Sequence, residues 1–473
     1  MNDFEVIIGI EIHLELNTKT KMFSPAINNF DAEPNTNINV IDLGYPGTLL
    51  LLNKQAVIFA VQLARALKME IDTELHFDRK NYYYTDLPKG FQITQYYRPI
   101  GKNGVLSIRT SQGEKKIQIE RIHLEEDTAR QHHDGEITKL DYNRAGVPLI
   151  EIVTYPVLRS SEEAVAYVDM IRKVALSLGI SDAKMENGSL RADVNISLRP
   201  FGYSGFGTKV EIKNINTFSN MKKAIDFEIE LQSRKIIRNE KILQQTKRFD
   251  EKLKENVVMR TKTGEVDYKY FPEPNIPLIK LTDSFLQKIK LNELPWEKEE
   301  RYKSYNLNQI YIDSLTNNLR LATYFDSINY FDKDKLSKLF FAEVVSLANS
   351  KNVEVDELNI QKKHLEQALN LLDQEVLSGK SFKKLIPLLC NFNENSIDSL
   401  VEEHKLAQIS DINVINKWVD EILAKKPESF EEFKNRPDRV TKMLLGEIMK
   451  LSEGRVNPTI ANQQLLEKLS IKN

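Results

Sequence analysis

A chain of 473 residues exceeds the ~250 to 300 residues at which one hydrophobic core stops growing, so several structural units are expected. With 41% hydrophobic and 28% charged residues it has the make-up of a soluble globular protein, and no run approaches the ~18 uninterrupted apolar residues of a membrane span. A net charge of -2 gives no global pull toward nucleic acid, so any RNA contact must rest on local basic patches; a single cysteine, Cys390, excludes an internal disulfide and a Cys-based zinc cluster.

The first residues, Met1-Asn2-Asp3-Phe4-Glu5, carry neither a basic n-region nor an apolar h-region, which points to a cytoplasmic protein. They lead into a strand pattern in which Ile10, Ile12, Leu14 and Leu16 point one way and Glu11, His13 and Glu15 the other. A helix is expected after Lys54, with Ala56, Ala60, Leu63 and Leu67 on one face. Between Ile117 and Asp127 the alternation changes phase near Arg121, as a β-bulge would cause, and then sets Arg121, His123 and Glu125 against Ile122 and Leu124. Glu151 stands alone among apolar neighbours in Pro148-Leu149-Ile150-Glu151-Ile152-Val153. A second helix begins at Ser160, where Glu163 suggests a capping box, and stops at Gly179.

From Leu190 to Arg199 the alternation is strict and gathers Arg191, Asp193 and Asn195 on one face; Lys209-Val210-Glu211-Ile212-Lys213 repeats the scheme. The stretch from Gly202 to Lys209 resembles a phosphate-binding loop in outline, but it has Thr208-Lys209 where the motif needs Lys-Ser/Thr, and a strand follows it. It reads as a hairpin turn. Pro272, Pro274, Pro277 and Pro295 mark a domain edge, and beyond them strand signals nearly vanish. The fold class is therefore α+β: an amino-terminal mixed α/β domain with antiparallel sheet over 1–294, then two all-helical domains over 295–405 and 406–473. Cys390, in an apolar run, reads as a buried structural thiol.

Each alternating strand, taken singly, fits an antiparallel sheet with one face in the core and one in water. Together they bring Asp, Asn, His and Arg to the polar side of several strands. Carboxylates with one imidazole suit Mg²⁺ or a similar divalent ion, and neighbouring Arg and Lys can hold phosphate oxygens, which is the equipment of phosphoryl transfer. Ser160-Ser161 lacks the Gly-rich surroundings of an amidase serine, so nothing here looks able to release ammonia from glutamine.

Long segments resemble the B-type subunit of the aspartyl/glutamyl-tRNA amidotransferase family. They are GIEIHLELNTKTKMFS from Gly9, FDRKNYYYTDLPKGFQITQY from Phe77, IHLEEDTA from Ile122, NRAGVPLIEIV from Asn143, MENGSLRADVNISLRP from Met185, GTKVEIKNINTF from Gly207 and DYKYFPEP from Asp267. The resemblance implies an amino-terminal cradle domain for kinase and amidation chemistry, a helical domain, and a helical tail that grips the tRNA body. It implies ATP and Mg²⁺ as cofactors and a misacylated tRNA(Gln), with possible tRNA(Asn), as substrates. It also implies a heterotrimer with the A-type (glutaminase) and small C-type subunits of the amidotransferase, without a membrane. Glu11, His13, Glu125 and Glu151 become the expected metal ligands, with Asp193 close by. Lys80, Arg191, Asn195, Lys209 and Lys213 become the expected holders of phosphates or of the acceptor end. Tyr82, Tyr83 and Tyr84 are read either as stacking on the terminal adenine or as packing, with packing favoured. Tyr155 and Glu447 depart from the family's habit without touching the expected ligands. A scaffold without chemistry would have lost the carboxylates, and a kinase for a small free acid would leave the helical tail without a purpose.

Overall fold

The computed structural model describes residues 4–261 and 267–471. The chain divides into two compact units, Met1–Glu297 and Lys298–Asn473.

In the first unit nine strands form one sheet among the described residues. They are β1 (Phe4–Glu15), β2 (Glu70–Ile71), β3 (Gly101–Thr110), β4 (Gly113–Glu126), β5 (Pro148–Thr154), β6 (Leu190–Pro200), β7 (Val210–Ile215), β8 (Gln245–Asp250) and β9 (Glu255–Thr261). Their spatial order is β9-β8-β7-β6-β1-β5-β4-β3-β2. Every pairing is antiparallel except β7 with β8. The alternation in β1 explains its central place: Ile8, Ile10, Ile12 and Leu14 are almost wholly buried, each worth ~1.5 to 3 kcal/mol when removed from water. This apolar face packs against helices α1 (Lys54–Ala66), α2 (Ser161–Leu178) and α3 (Phe218–Ile237). The opposite face carries the polar residues.

Local rules set the boundaries. The Asn53 side chain accepts hydrogen bonds from the backbone of Gln55 and Ala56 and starts α1. Ser160 accepts from the Glu163 N–H and starts α2, while the Glu163 carboxylate reaches the Arg159 N–H rather than that of Ser160, so the expected box closes one residue early. Gly179 ends the helix at φ 71°, a left-handed conformation that a side chain would strain. The bulge expected near Arg121 is present: Arg121 pairs with Val153 but Ile119 pairs with Thr154, leaving Glu120 as the extra residue. The Gly202 to Lys209 segment joins the antiparallel pair β6 and β7.

Three short strands, Asp78–Asn81, Phe91–Thr94 and Phe271–Pro272, make a small antiparallel ribbon within the same unit. In the second unit the described residues form helices and isolated bridges. One core runs from Tyr302 to Leu406 and another from Ile415 to Leu469. Cys390 is half-buried against the first of these, with the Lys351 ammonium 3.8 Å from its sulfur, so the full burial expected of it is not reached. No helix among the described residues is long and apolar enough to cross a membrane.

Candidate functional site

Strand register decides which polar residues meet. On the polar face of the sheet, His13 lies opposite Arg191 on one side and Glu151 on the other, and Glu151 in turn lies opposite His123. One row away on the same face Glu11 faces Asp193, and in the row beyond it Asn195 faces Glu211. Side chains at directly opposed positions stand close enough to interact and long ones also reach diagonal neighbours, so the register creates two groups.

The first group is His13, Glu125 and Glu151. The His13 Nε2 lies 3.6 Å from Glu125 Oε1 and 3.5 Å from Glu151 Oε2. His123 joins them, its Nε2 being 3.4 Å from Glu151 and 3.9 Å from Glu125. The second group is Glu11, Asp193 and Glu211. There the Lys213 ammonium pairs with Asp193 at 2.7 Å and with Glu211 at 3.2 Å, and the Asn195 amide donates to Glu11 at 2.9 Å. The four metal ligands expected from sequence therefore do not form one set: Glu11 stands in the second group. Sequence reasoning does not single out His123. It sits in an ordinary alternating strand, and only its opposition to Glu151 gives it away.

Electrostatics follows from burial and partners. Burial, reinforced by the Glu151 charge, raises the pKa of Glu125 above the usual carboxylate range. Burial pushes Glu151 in the same direction, but His123 and His13 overcome it and hold Glu151 well below that range. Burial opposes charge on His13, yet the Glu151 hydrogen bond and the Glu125 charge raise its pKa to about 9. Glu11 is raised, first by burial and then by the charges of Glu151 and Asp193. Lys213 is raised despite burial, because Asp193 and Glu211 favour its charge.

A cavity of about 610 Å³ opens over these groups, lined among others by His13, Lys80, Glu125, Arg191, Asp193 and Lys213. Arg191 is held by Asp127 at 2.7 Å, and Asp127 is steadied by Arg144 at 3.6 Å. Lys80 comes from the small ribbon, with its ammonium 4.9 Å from the Tyr268 ring centre. Asn195 stands behind the lining, on Glu11. Lys209 is exposed on the hairpin turn outside the cavity lining, so the structure does not bring it to the other cations. The packing expected of the tyrosine triplet holds for one member of it. Tyr82 is half-buried with its hydroxyl on Gln92, but Tyr83 and Tyr84 are exposed.

The donor set fits a hard divalent cation. Glu125 and Glu151 repel one another in a buried place, and a cation between them would remove that cost. His123 Nδ1 and Asn195 Oδ1 are buried without a hydrogen-bond partner. Three cationic side chains around the same cavity can hold phosphate oxygens.

Comparison with known proteins identifies the family. A family model described as the GatB/GatE catalytic domain matches residues 6–287, and one described as the GatB domain matches residues 323–469. The chain is 67% identical to the B-type subunit of aspartyl/glutamyl-tRNA(Asn/Gln) amidotransferase from Mycoplasmopsis agalactiae, with 100% of each chain covered. It is 59% identical to the protein of that name from Mycoplasmopsis synoviae and 42% identical to that from Oceanobacillus iheyensis, with 99% of each chain covered in both cases. On these matches, the chain belongs to the family of B-type subunits of aspartyl/glutamyl-tRNA(Asn/Gln) amidotransferase.

Proposed function

We propose that this chain activates the side-chain carboxyl of glutamate carried by tRNA(Gln) with ATP and Mg²⁺, and then amidates it with ammonia supplied by the glutaminase-type partner of a heterotrimer. A small third chain, the C-type subunit, completes the assembly, which works in the cytoplasm, and aspartate on tRNA(Asn) is a second substrate class. The observation that carries this reading is the convergence of His13, Glu125 and Glu151 beneath one cavity that also receives Lys80, Arg191 and Lys213.

In this reading His13, Glu125 and Glu151 hold the divalent ion, which supplies charge neutralisation for the phosphates, while Glu11, Asp193 and Asn195 form the adjoining wall. Lys80, Arg191 and Lys213 hold phosphoryl oxygens, and Lys209 contributes only at the margin. The substrate carboxylate oxygen forms a bond to the terminal phosphorus as the bond to ADP breaks. Ammonia then adds at the activated carbonyl, phosphate leaves with the carbon–oxygen bonding pair, and the excess proton passes to phosphate. Arg191, locked onto Asp127, is preorganised for the charge that develops. Three domains divide the work: residues 1–294 perform the chemistry, 295–405 are a helical spacer, and 406–473 grip the tRNA body.

ATP hydrolysis by the assembled complex, compared with Glu-tRNA(Gln), Asp-tRNA(Asn) and uncharged tRNA, tests this reading. Hydrolysis should depend on the aminoacyl group, and equal rates with uncharged tRNA would refute carboxyl activation. Removing residues 406–473 should weaken tRNA binding and flatten its salt dependence, because phosphate contacts release counterions.

A further inference from the structure

The strand that supplies Glu125 runs past the end of its neighbour. β3 pairs with β4 only as far as Ile122, which lies opposite Gly101, whereas β5 pairs with β4 through Glu126. Residues 123 to 126 therefore have a strand on one side only. The Asp127 N–H donates to the Val147 carbonyl at 2.8 Å, so odd-numbered residues here turn their amides toward β5 and even-numbered ones turn theirs to the open edge. Leu124 is wholly buried at that edge, and a buried N–H left without an acceptor is costly.

Side chains on and just after the ribbon strand Phe91–Thr94 stand in for the missing strand. The Leu124 N–H donates to the Gln95 side-chain oxygen at 3.0 Å, and the Gln92 side-chain amide donates to the Glu126 carbonyl at 2.6 Å. In the other direction the Ile93 N–H donates to the Glu126 carboxylate at 3.0 Å. Gln95 is fixed in its turn, since it is fully buried and its amide nitrogen donates to the His76 carbonyl at 3.0 Å. Glu125 thus sits between two residues whose backbone groups are pinned, one before it and one after.

The Glu125 carboxylate has need of that restraint. Among the described residues its partners within ion-pair distance are the imidazoles of His13 and His123, at 3.6 and 3.9 Å, both beyond hydrogen-bond reach. The Glu151 charge meanwhile works against its ionised form. A carboxylate that no donor holds is placed by its own backbone, and a ligand group must stand within about 0.5 Å of its productive position to serve. Groups outside the coordination sphere that orient the ligands are typically worth ~10- to 100-fold in metal affinity.

We propose that Gln95 is a positioning residue for the divalent-ion site: by completing the open edge of β4 at Leu124, it fixes where Glu125 presents its carboxylate. This rests on the proposed function, which makes Glu125 a metal ligand. Gln95 itself lies outside the cavity lining and acts only through the strand.

The test uses the assembled complex, stripped of metal by a chelator, with Gln95→Met, which keeps the length of the side chain and removes its carbonyl. Mn²⁺ alone is the probe, read by electron paramagnetic resonance at the site that Glu125→Gln is expected to abolish. Its affinity there should fall about tenfold or more in Gln95→Met. The Mg²⁺ concentration for half-maximal turnover should rise by a similar factor while kcat at saturating Mg²⁺ changes less than about threefold, a split that general loss of fold would not produce. Hydrogen exchange over residues 123–126, followed by mass spectrometry before any metal is added, should be slow in the wild type and faster in the variant. Unchanged Mn²⁺ affinity in Gln95→Met overturns the proposal. Fast exchange at the Leu124 amide of the wild type overturns it as well, and that reading is independent of any variant. Failure of the proposed function looks different: Mn²⁺ binding that is indifferent to Glu125→Gln refutes the metal assignment itself, whatever Gln95 does.

Discussion

The two carboxylate groups on the polar face of the sheet are neighbours made of similar parts, yet their partners differ. Glu11, Asp193 and Glu211 have a permanent cation among them, since Lys213 reaches two of the three directly. Among the described residues the groups within ion-pair distance of Glu125 and Glu151 are imidazoles, His13 and His123, whose charge depends on protonation. A group that carries its own lysine is already neutralised and gains little from a metal. A group that shares protons with histidines can exchange them for a divalent ion, because imidazole must be neutral to bind one. On the proposed function, the difference places the divalent ion at the histidine-faced group and leaves the carboxylates of the lysine-capped group as the adjoining wall.

The largest effect should follow from Glu125→Gln. It removes one of two carboxylates in the histidine-faced group and should lower turnover of the assembled complex ~100-fold or more, a loss of several kcal/mol in the barrier. Glu11→Gln, in the lysine-capped group, should cost less. Equal losses from the two changes, measured at saturating ATP, would erase the distinction drawn between them.

The next effect is read from pH. In chelator-treated protein the folded-state pKa of His13 is raised to about 9 by Glu151 and Glu125, which prevail over burial. A histidine raised in this way contributes stability that is fully present below its unfolded value of ~6.5 and is lost as pH climbs through about 9. The unfolding free energy of the metal-free protein, read from urea titrations, should therefore fall between pH 6.5 and 9 by a total on the order of 3 kcal/mol, and His13→Asn should remove that part of the slope. An identical pH profile in the variant would show that His13 is not ion-paired in solution.

These contrasts also mark what could be read in advance. The face was legible: strict alternation in β1 and β6 separated Ile10 and Ile12 from Glu11 and His13, and Ala192 and Val194 from Arg191 and Asp193. The bulge at Glu120 was legible because it broke the phase. The row was not. Sliding one strand by two residues preserves every inside and outside assignment, so alternation cannot tell whether Glu11 or His13 stands opposite Glu151. The same ambiguity left it to the folded chain to set Glu11 beside Asp193 and His123 opposite Glu151. Exposure of Tyr84 was equally hidden, because Tyr82, Tyr83 and Tyr84 offer no alternation that sorts buried from exposed rings.

A smaller effect should come from Lys213→Met, which removes the ammonium that pairs with Asp193 and Glu211. Breaking a well-buried pair costs ~3 to 5 kcal/mol; because the Lys213 side chain is 32% exposed, water compensates in part and ~1 to 2 kcal/mol is expected. The sign of the pH dependence is distinctive. Burial and the Glu151 and Asp193 charges already raise Glu11 and the Lys213 charge opposes that shift, so without Lys213 the stability that protonated Glu11 retains at low pH is lost more steeply as pH rises. Thermal unfolding should show the variant close to wild type at pH 5 and clearly weaker at pH 8. A deficit that is the same at both values would mean that Lys213 acts by packing alone.

The smallest effect expected is at Lys209. It shares a strand-end sequence with Lys213, only four positions away, and by residue type alone either lysine could hold a phosphate. The fold separates them: Lys213 projects from β7 into the cavity, whereas Lys209 precedes the strand, exposed on the turn. A solvated lysine with no fixed geometry contributes to RNA attraction mainly through screened charge, which falls away beyond a Debye length of ~8 Å at physiological salt. Lys209→Ala should therefore change turnover by less than about twofold and reduce tRNA affinity only at low salt, whereas Lys213→Met should impair turnover at every salt concentration. Comparing the two variants in 50 mM and 200 mM salt, on the order of the range over which phosphate contacts are usually resolved, separates a lysine that attracts RNA at a distance from one fixed in the cavity lining.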